Sequence, residues 1–184
     1  DNNIYLFWRG GNFRPNFSVS SNKGKSWSPA KTLDNHKEGQ KNVRPYMKVA
    51  DNGRDKIHFA FTDGHPRDEE HNSIYYMYYQ KGKLFKANGE EITSLDNVPV
   101  SPEQAHLAYD AGETGNKAWI WDVAEDKEGN PVLVYAVFPN DTTHLYYYSK
   151  WDGNKWNNYE LVNSGKWFPE TPEGETEPEP NYSG

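Results

Sequence analysis

Three times along this chain, two runs of aromatic and aliphatic residues lead to a glycine that stands three residues ahead of an aromatic. The first copy reads Ile4-Tyr5-Leu6-Phe7-Trp8, then Asn16-Phe17-Ser18-Val19-Ser20, then Gly24 and Trp27. The second reads Ile57-His58-Phe59-Ala60-Phe61, then Ile74-Tyr75-Tyr76-Met77-Tyr78-Tyr79, then Gly82 and Phe85. The third reads Val132-Leu133-Val134-Tyr135-Ala136, then His144-Leu145-Tyr146-Tyr147-Tyr148-Ser149, then Gly153 and Trp156. Runs this short, rich in aromatic and β-branched residues and bounded by turn formers, read as strands. The glycine suits a turn position with φ above zero, and the aromatic is expected to anchor the outgoing strand in the core. Copies two and three add an earlier strand, Tyr46–Ala50 before Asp51-Asn52-Gly53 and Trp119–Ala124 before Lys127-Glu128-Gly129-Asn130. Asn-Gly between apolar runs is a hairpin signal. The complete unit is thus four strands joined by hairpins. Such units in series predict an all-β fold, a β-propeller of four-stranded antiparallel blades.

The 184 residues suffice for one domain. The division expected is strands b–d of one blade over 1–33, a second blade over 43–92 and a third over 117–162. Residues 163–184, rich in Pro, Glu and Gly, then connect to a further blade. The chain is expected to cover about three blades of a seven-bladed protein. Remaining blades, or a partner chain, would cover the two apolar faces of so open an array. There is no cysteine, which excludes disulfides and thiolate metal sites. No apolar stretch approaches the ~20 residues of a membrane span, so no membrane partner is expected. The net charge of −7 comes without a basic stripe, which argues against nucleic acid. The expected location is secreted or periplasmic, with any signal peptide upstream or removed.

Ser20-Ser21-Asn22-Lys23-Gly24-Lys25-Ser26-Trp27 resembles the Asp-box of sialidase-like propellers, Ser-x-Asp-x-Gly-x-Thr-Trp, with Asn22 in the Asp position and Ser26 in the Thr position. In that motif the side chain at Asn22 would tie the turn to backbone amides. Four further stretches resemble bacterial propellers with BNR repeats: Arg44-Pro45-Tyr46, Phe61-Thr62-Asp63-Gly64-His65-Pro66-Arg67, Asn72-Ser73-Ile74-Tyr75-Tyr76 and Glu179-Pro180-Asn181-Tyr182-Ser183-Gly184. Similar propellers include lyases and rhamnosidase-like enzymes acting on polymers that pair L-rhamnose with glucuronic acid, such as ulvan and plant arabinogalactan. The resemblance therefore implies an acidic polysaccharide or oligosaccharide as partner.

In such blades, short hairpins fall on one face and longer loops on the other. The longer set is 9–16, 34–44, 62–73, 86–117 and 137–143, and loops on a rigid scaffold are where binding and catalysis concentrate. His36, His65, His71, His106 and His144 lie in or beside them, as do Arg9, Arg14, Arg44, Arg67 and Tyr109. His65 is the leading catalytic candidate, because Gly64 and Pro66 fix the backbone around it; the alternative is a turn histidine bonded to Asp63. Tyr109, His144 or Tyr182 would be its partner. Arg44 or Arg14 would neutralise a uronate carboxylate. Tyr46, Arg67, Trp119 and Tyr182 are further substrate-binding candidates, with Trp119 and Trp121 either core or sugar-stacking. His58, inside a strand, reads as a packed core residue.

Base, acid and cation of this kind suit β-elimination from a uronic-acid polymer, which makes a polysaccharide lyase the leading reading. The alternatives are a glycoside hydrolase, rhamnosidase- or sialidase-like, and a non-catalytic sugar-binding propeller. Arg44-Pro45-Tyr46 departs from the Arg-Ile-Pro pattern of sialidases. Asp68-Glu69-Glu70 reads as a solvated loop or a place for Ca²⁺. No spacing marks a metal site, and no other cofactor is implied.

Overall fold

The computed structural model describes residues 3–11, 13–35, 43–140 and 142–165. They form three antiparallel sheets in chain order. The first holds β1 (Ile4–Arg9), β2 (Pro15–Ser20) and β3 (Lys31–Thr32). The second begins with β4 (Met47–Asp51), β5 (Ile57–Thr62) and β6 (Ile74–Gln80), and continues through β7 (Lys83–Phe85) to β8 (Glu91–Ser94). Its sixth strand is β9 (His106–Tyr109), followed by the one-turn helix α1 (Ala111–Thr114). The third sheet runs β10 (Lys117–Glu125), β11 (Pro131–Asn140), β12 (Thr143–Trp151) and β13 (Trp156–Gly165), each paired with the next.

The middle sheet is buried on both faces, and the period-two alternation of a strand explains how. Phe59, Phe61, Tyr75, Met77 and Tyr79 point toward the first sheet and pack with Phe17 and Leu33. Ala60, Ile74 and Tyr76 point the other way and pack with Ile120, Leu133 and Tyr135 of the third sheet. Full burial of each large apolar side chain here is worth roughly 1.5–3 kcal/mol. A bulge at Trp121 in β10 breaks the alternation, since Ile120 pairs Tyr135 while Asp122 pairs Val134. The extra residue lets Ile120 and Val123, an odd number apart, both face the core.

The turns follow the glycines. Gly24, Gly82 and Gly153 all have positive φ, and at the two-residue loop Lys81-Gly82 both residues do, as a type I′ hairpin needs. At the first turn Asn22 Oδ1 accepts the Ser26 N–H at 2.9 Å and its Nδ2 donates to Ser26 Oγ at 2.7 Å.

Two expectations change. Trp27 is 42% exposed and lies over Gly24 rather than in the core. In the second copy Leu84, not Phe85, is the fully buried residue, while Phe85 stacks on Tyr78. The segment 86–117 is not one long loop. The Lys86–Glu90 turn sends the chain back as β8, so β7 covers only Tyr78–Gln80 of β6. The open half, Ile74–Tyr76, is then paired by β9, which delivers Ala108 and Tyr109 to the core.

Candidate active site

One end of the three sheets carries the β1–β2, β5–β6 and β11–β12 connections, and the candidate residues converge there from separate elements. Tyr46 is placed by an extension of the β4–β5 ladder: its N–H donates to Thr62 Oγ1 at 3.1 Å and its carbonyl accepts the Thr62 N–H at 3.0 Å. Thr62 Oγ1 in turn donates to Gly64 O at 2.7 Å. The loop that follows is pinned by Asp63, which accepts the Ser73 N–H at 2.9 Å and the Tyr75 hydroxyl at 3.1 Å. A Cβ on Gly64 would meet Val43 Cγ1 at 2.9 Å and Glu69 Cγ at 2.8 Å, so this glycine is required by close packing.

That backbone aims His65 at Tyr46 and Trp119. The ring centroids form a triangle: Tyr46 to His65 5.4 Å, Tyr46 to Trp119 5.2 Å, and His65 to Trp119 5.0 Å. Tyr46 and Trp119 are half-buried and His65 is 8% exposed. The Arg9 guanidinium lies 4.4 Å from the Tyr46 ring centroid. From Trp119 the ring contacts run on to Trp121 at 5.5 Å, Tyr146 at 6.3 Å and then His144 at 5.0 Å.

The protonation geometry of His65 follows from one hydrogen bond. The Arg67 backbone N–H donates to His65 Nδ1 at 3.0 Å, and a backbone N–H can only donate. Nδ1 is therefore the unprotonated nitrogen, and the neutral ring carries its hydrogen on Nε2. Burial first, then the Arg67, Arg9 and Arg44 charges, hold His65 below the ordinary histidine value against an opposing pull from Asp68. His65 is thus a neutral imidazole presenting Nε2–H as a donor, beside Tyr46 and two guanidinium groups. Asp63 is not its partner, being spent on Ser73 and Tyr75.

The other candidates divide. Arg44 is exposed and joins the cluster through Phe13, 4.7 Å from its guanidinium. Arg67 is exposed; its Nε donates to Asp68 at 3.2 Å, and it touches His65 through its backbone. Arg14 turns toward Asn35, to whose side chain it donates. His144 is 1% exposed and four ring contacts from His65; burial depresses its basicity. Tyr109 lies apart, against Tyr135, with its hydroxyl donating to Asn116 O at 3.1 Å and accepting from Thr114. Burial lifts that hydroxyl above the ordinary tyrosine value. Tyr182 lies outside the described residues. His58 is buried, 2.6 Å from the Tyr76 hydroxyl and 3.3 Å from Glu125.

Asn72, Phe13 and Tyr146 were not candidates on sequence. Asn72 lies in a stretch named above, but nothing marks its side chain as the one that crosses between sheets. Among the described residues no group of three or more His, Asp or Glu gathers to hold a metal ion.

No curated protein matches the sequence. Two solved structures of a polysaccharide lyase, a PL25 ulvan lyase, share the fold. One superposes on 88% of this chain and 42% of its own, with a TM-score of 0.70 and 19% identity. The other, bound to -[GlcA(1-4)Rha3S]-, superposes on 86% of this chain and 41% of its own, with a TM-score of 0.68 and 19% identity. The chain thus spans less than half the length of either. The profile of the BNR repeat-containing family runs through residues 1–164, spanning all three sheets from β1 to the penultimate residue of β13, and the chain belongs to that family.

Proposed function

We propose that the chain is the substrate-binding part of a polysaccharide lyase that cleaves an acidic, uronate- and rhamnose-containing polysaccharide by β-elimination. The observation that carries this reading is the Tyr46–His65–Trp119 triangle with Arg9 and Arg44 beside it. The fold shared with an ulvan lyase, and the saccharide bound in one of those structures, support it.

In β-elimination the C5 proton leaves to a base, a C4=C5 double bond forms, the C4–O bond breaks and an acid protonates the departing oxygen. The carboxylate on C5 must be neutralised first. Arg44, with Nε2–H of His65 donating, fills that role. Tyr46, in ring contact with His65 and deprotonated at its hydroxyl, takes the C5 proton and passes it to the departing oxygen. Trp119 offers a stacking face to a sugar ring. His65 acts as a donor rather than as the base, because its only free lone pair is occupied by Arg67 N–H. These groups supply cationic and hydroxyl chemistry, not the paired carboxylates of glycoside hydrolysis.

The three sheets act as blades of a β-propeller completed by further blades. Its support is the apolar surface at both ends: Ile4, Leu6 and Trp8 on the first sheet, and Tyr159, Leu161 and Val162 on the last, are each at least 37% exposed. A secreted or periplasmic setting suits a polymer substrate.

The test is the intact protein with a glucuronate–rhamnose-3-sulfate polymer. A rise in ultraviolet absorbance marks the unsaturated product of a lyase. His65→Ala is expected to abolish that rise while binding persists. New reducing ends without absorbance would make the protein a hydrolase; binding with neither would make it a sugar-binding module.

A further inference from the structure

The geometry points to a paired-guanidinium clamp at the edge of the ring cluster, in which Phe13 holds Arg9 and Arg44 together to take an anionic group of the sugar chain. It deepens, and rests on, the saccharide reading of the same site.

Phe13 is built against local preference in two respects. It is a non-glycine residue at φ +60°, in the left-handed region that bulky side chains rarely occupy. Its large apolar ring is also 48% exposed. The turn that holds it is tight: Phe13 N–H donates to Gly10 O and Gly10 N–H to Arg14 O, both at 2.9 Å. What the ring does there is carry two cations. Arg9 Cζ lies 5.4 Å and Arg44 Cζ 4.7 Å from its centroid, and Arg9 also donates from Nε to the Phe13 carbonyl at 3.4 Å.

Among the described residues no carboxylate pairs with Arg9 or Arg44. In a chain of net charge −7, two like charges thus converge without a counter-ion among the described residues. Stacking on an aromatic face keeps a guanidinium in place while leaving its in-plane N–H groups open. Those donors match the oxygens of a carboxylate or a sulfate ester. The clamp adjoins the triangle through Tyr46, so the anion it holds belongs to the sugar at His65 or its neighbour. Phe13 is a positioning residue; the two arginines make the contact.

Calorimetric titration of the intact protein with a glucuronate–rhamnose-3-sulfate oligosaccharide tests this. Its carboxyl-reduced and desulfated derivatives identify the anion. Phe13→Gly accepts φ +60° without strain, so the loop and the melting temperature should be kept. It is expected to weaken binding of the charged oligosaccharide about tenfold and to flatten its salt dependence. Phe13→Tyr should restore both, and Arg9→Gln should mimic Phe13→Gly. The derivative lacking the recognised anion should bind wild type and Phe13→Gly alike. Binding by Phe13→Gly within about twofold of wild type, or no binding by wild type, overturns the clamp. Clamp-dependent binding without any unsaturated product would remove the lyase reading and leave the clamp. Product formation with binding unchanged in Phe13→Gly would do the reverse.

Discussion

Asn72 in the second sheet's loop and Ala118 in the third sheet are tied to each other twice. Asn72 Nδ2 donates to the Ala118 carbonyl at 2.6 Å, and the Ala118 N–H donates to the Asn72 carbonyl at 2.9 Å. The remaining side-chain atom, Asn72 Oδ1, accepts the Gly64 N–H at 2.8 Å. One wholly buried amide thus joins the backbone before His65 to the backbone before Trp119. Satisfied at both ends, it holds two sides of the triangle in register before any ligand arrives.

Asn72→Ala leaves a buried N–H at Gly64 and a buried carbonyl at Ala118 without partners. At roughly 1–3 kcal/mol for each of the two unsatisfied groups, the expected loss of stability is about 2–6 kcal/mol. Asn72→Asp should be no milder, since it sets an oxygen against the Ala118 carbonyl. Urea unfolding measures the first effect; saccharide affinity of the folded fraction should fall as well.

Gly64→Ala forces a methyl against Val43 and Glu69, and overpacking of this kind costs roughly 1–3 kcal/mol. Glu69 meets the methyl with a longer, half-buried side chain, whereas Val43 is 7% exposed and packed. Adding Val43→Ala should therefore recover more stability than adding Glu69→Ala. Thermal melts of the two double variants decide between them.

Glu125 anchors the opposite end of the sheets. It accepts from Asn52 and Lys56 at 3.3 Å, from Arg54, and lies 3.3 Å from His58 Nε2. Burial pushes its carboxyl up, but Asn52, Lys56 and His58 together outweigh that and hold it below the ordinary glutamate value. Glu125→Ala leaves the buried His58 without this acceptor, beside the partly exposed Lys56, with an expected cost of about 1–3 kcal/mol. Saccharide affinity of the folded protein, measured by titration, should not change, because the triangle is at the other end of β5 and β10.

Stability should fall on mild acidification. Burial, as the largest cause, depresses His58, His65, His106 and His144 below the ordinary histidine value. Below about pH 6.5 the unfolded chain binds protons that the folded chain refuses, so stability rises with pH through that window and is lost as pH drops. Asp34 works in the opposite direction. Burial and the Asp63 charge raise its carboxyl, so its penalty grows as pH climbs above the ordinary aspartate range. The melting temperature is expected to decline from neutral pH toward pH ~5.5, and His144→Phe should flatten part of that decline.

The strands were legible because a strand declares itself locally. Ile74–Gln80 alternates between two cores, and the alternation is visible in the residues themselves. The cluster around His65 was legible through its glycine and proline, and Arg44, Tyr46 and Trp119 through their places at the start of the earlier strands of copies two and three. Tyr109 read as a loop aromatic because nothing near it announces that β7 stops short and leaves half of β6 unpaired. His144 stands at the end of the sheets bearing the His65 loop, yet inward packing against Phe138 and Tyr146 buries it.

By itself, the sequence determined the strands, the turns with positive φ and the end of the sheets on which the His65 loop lies, because each depends on contacts between near neighbours. Only the tertiary structure decided which rings meet, which nitrogen of His65 bears the hydrogen, and that Phe13 lies beneath two arginines. Those outcomes depend on Asn72 reaching Ala118 and on Arg44 reaching Phe13 across separate elements, and such distances are set by how sheets pack, not by residue order.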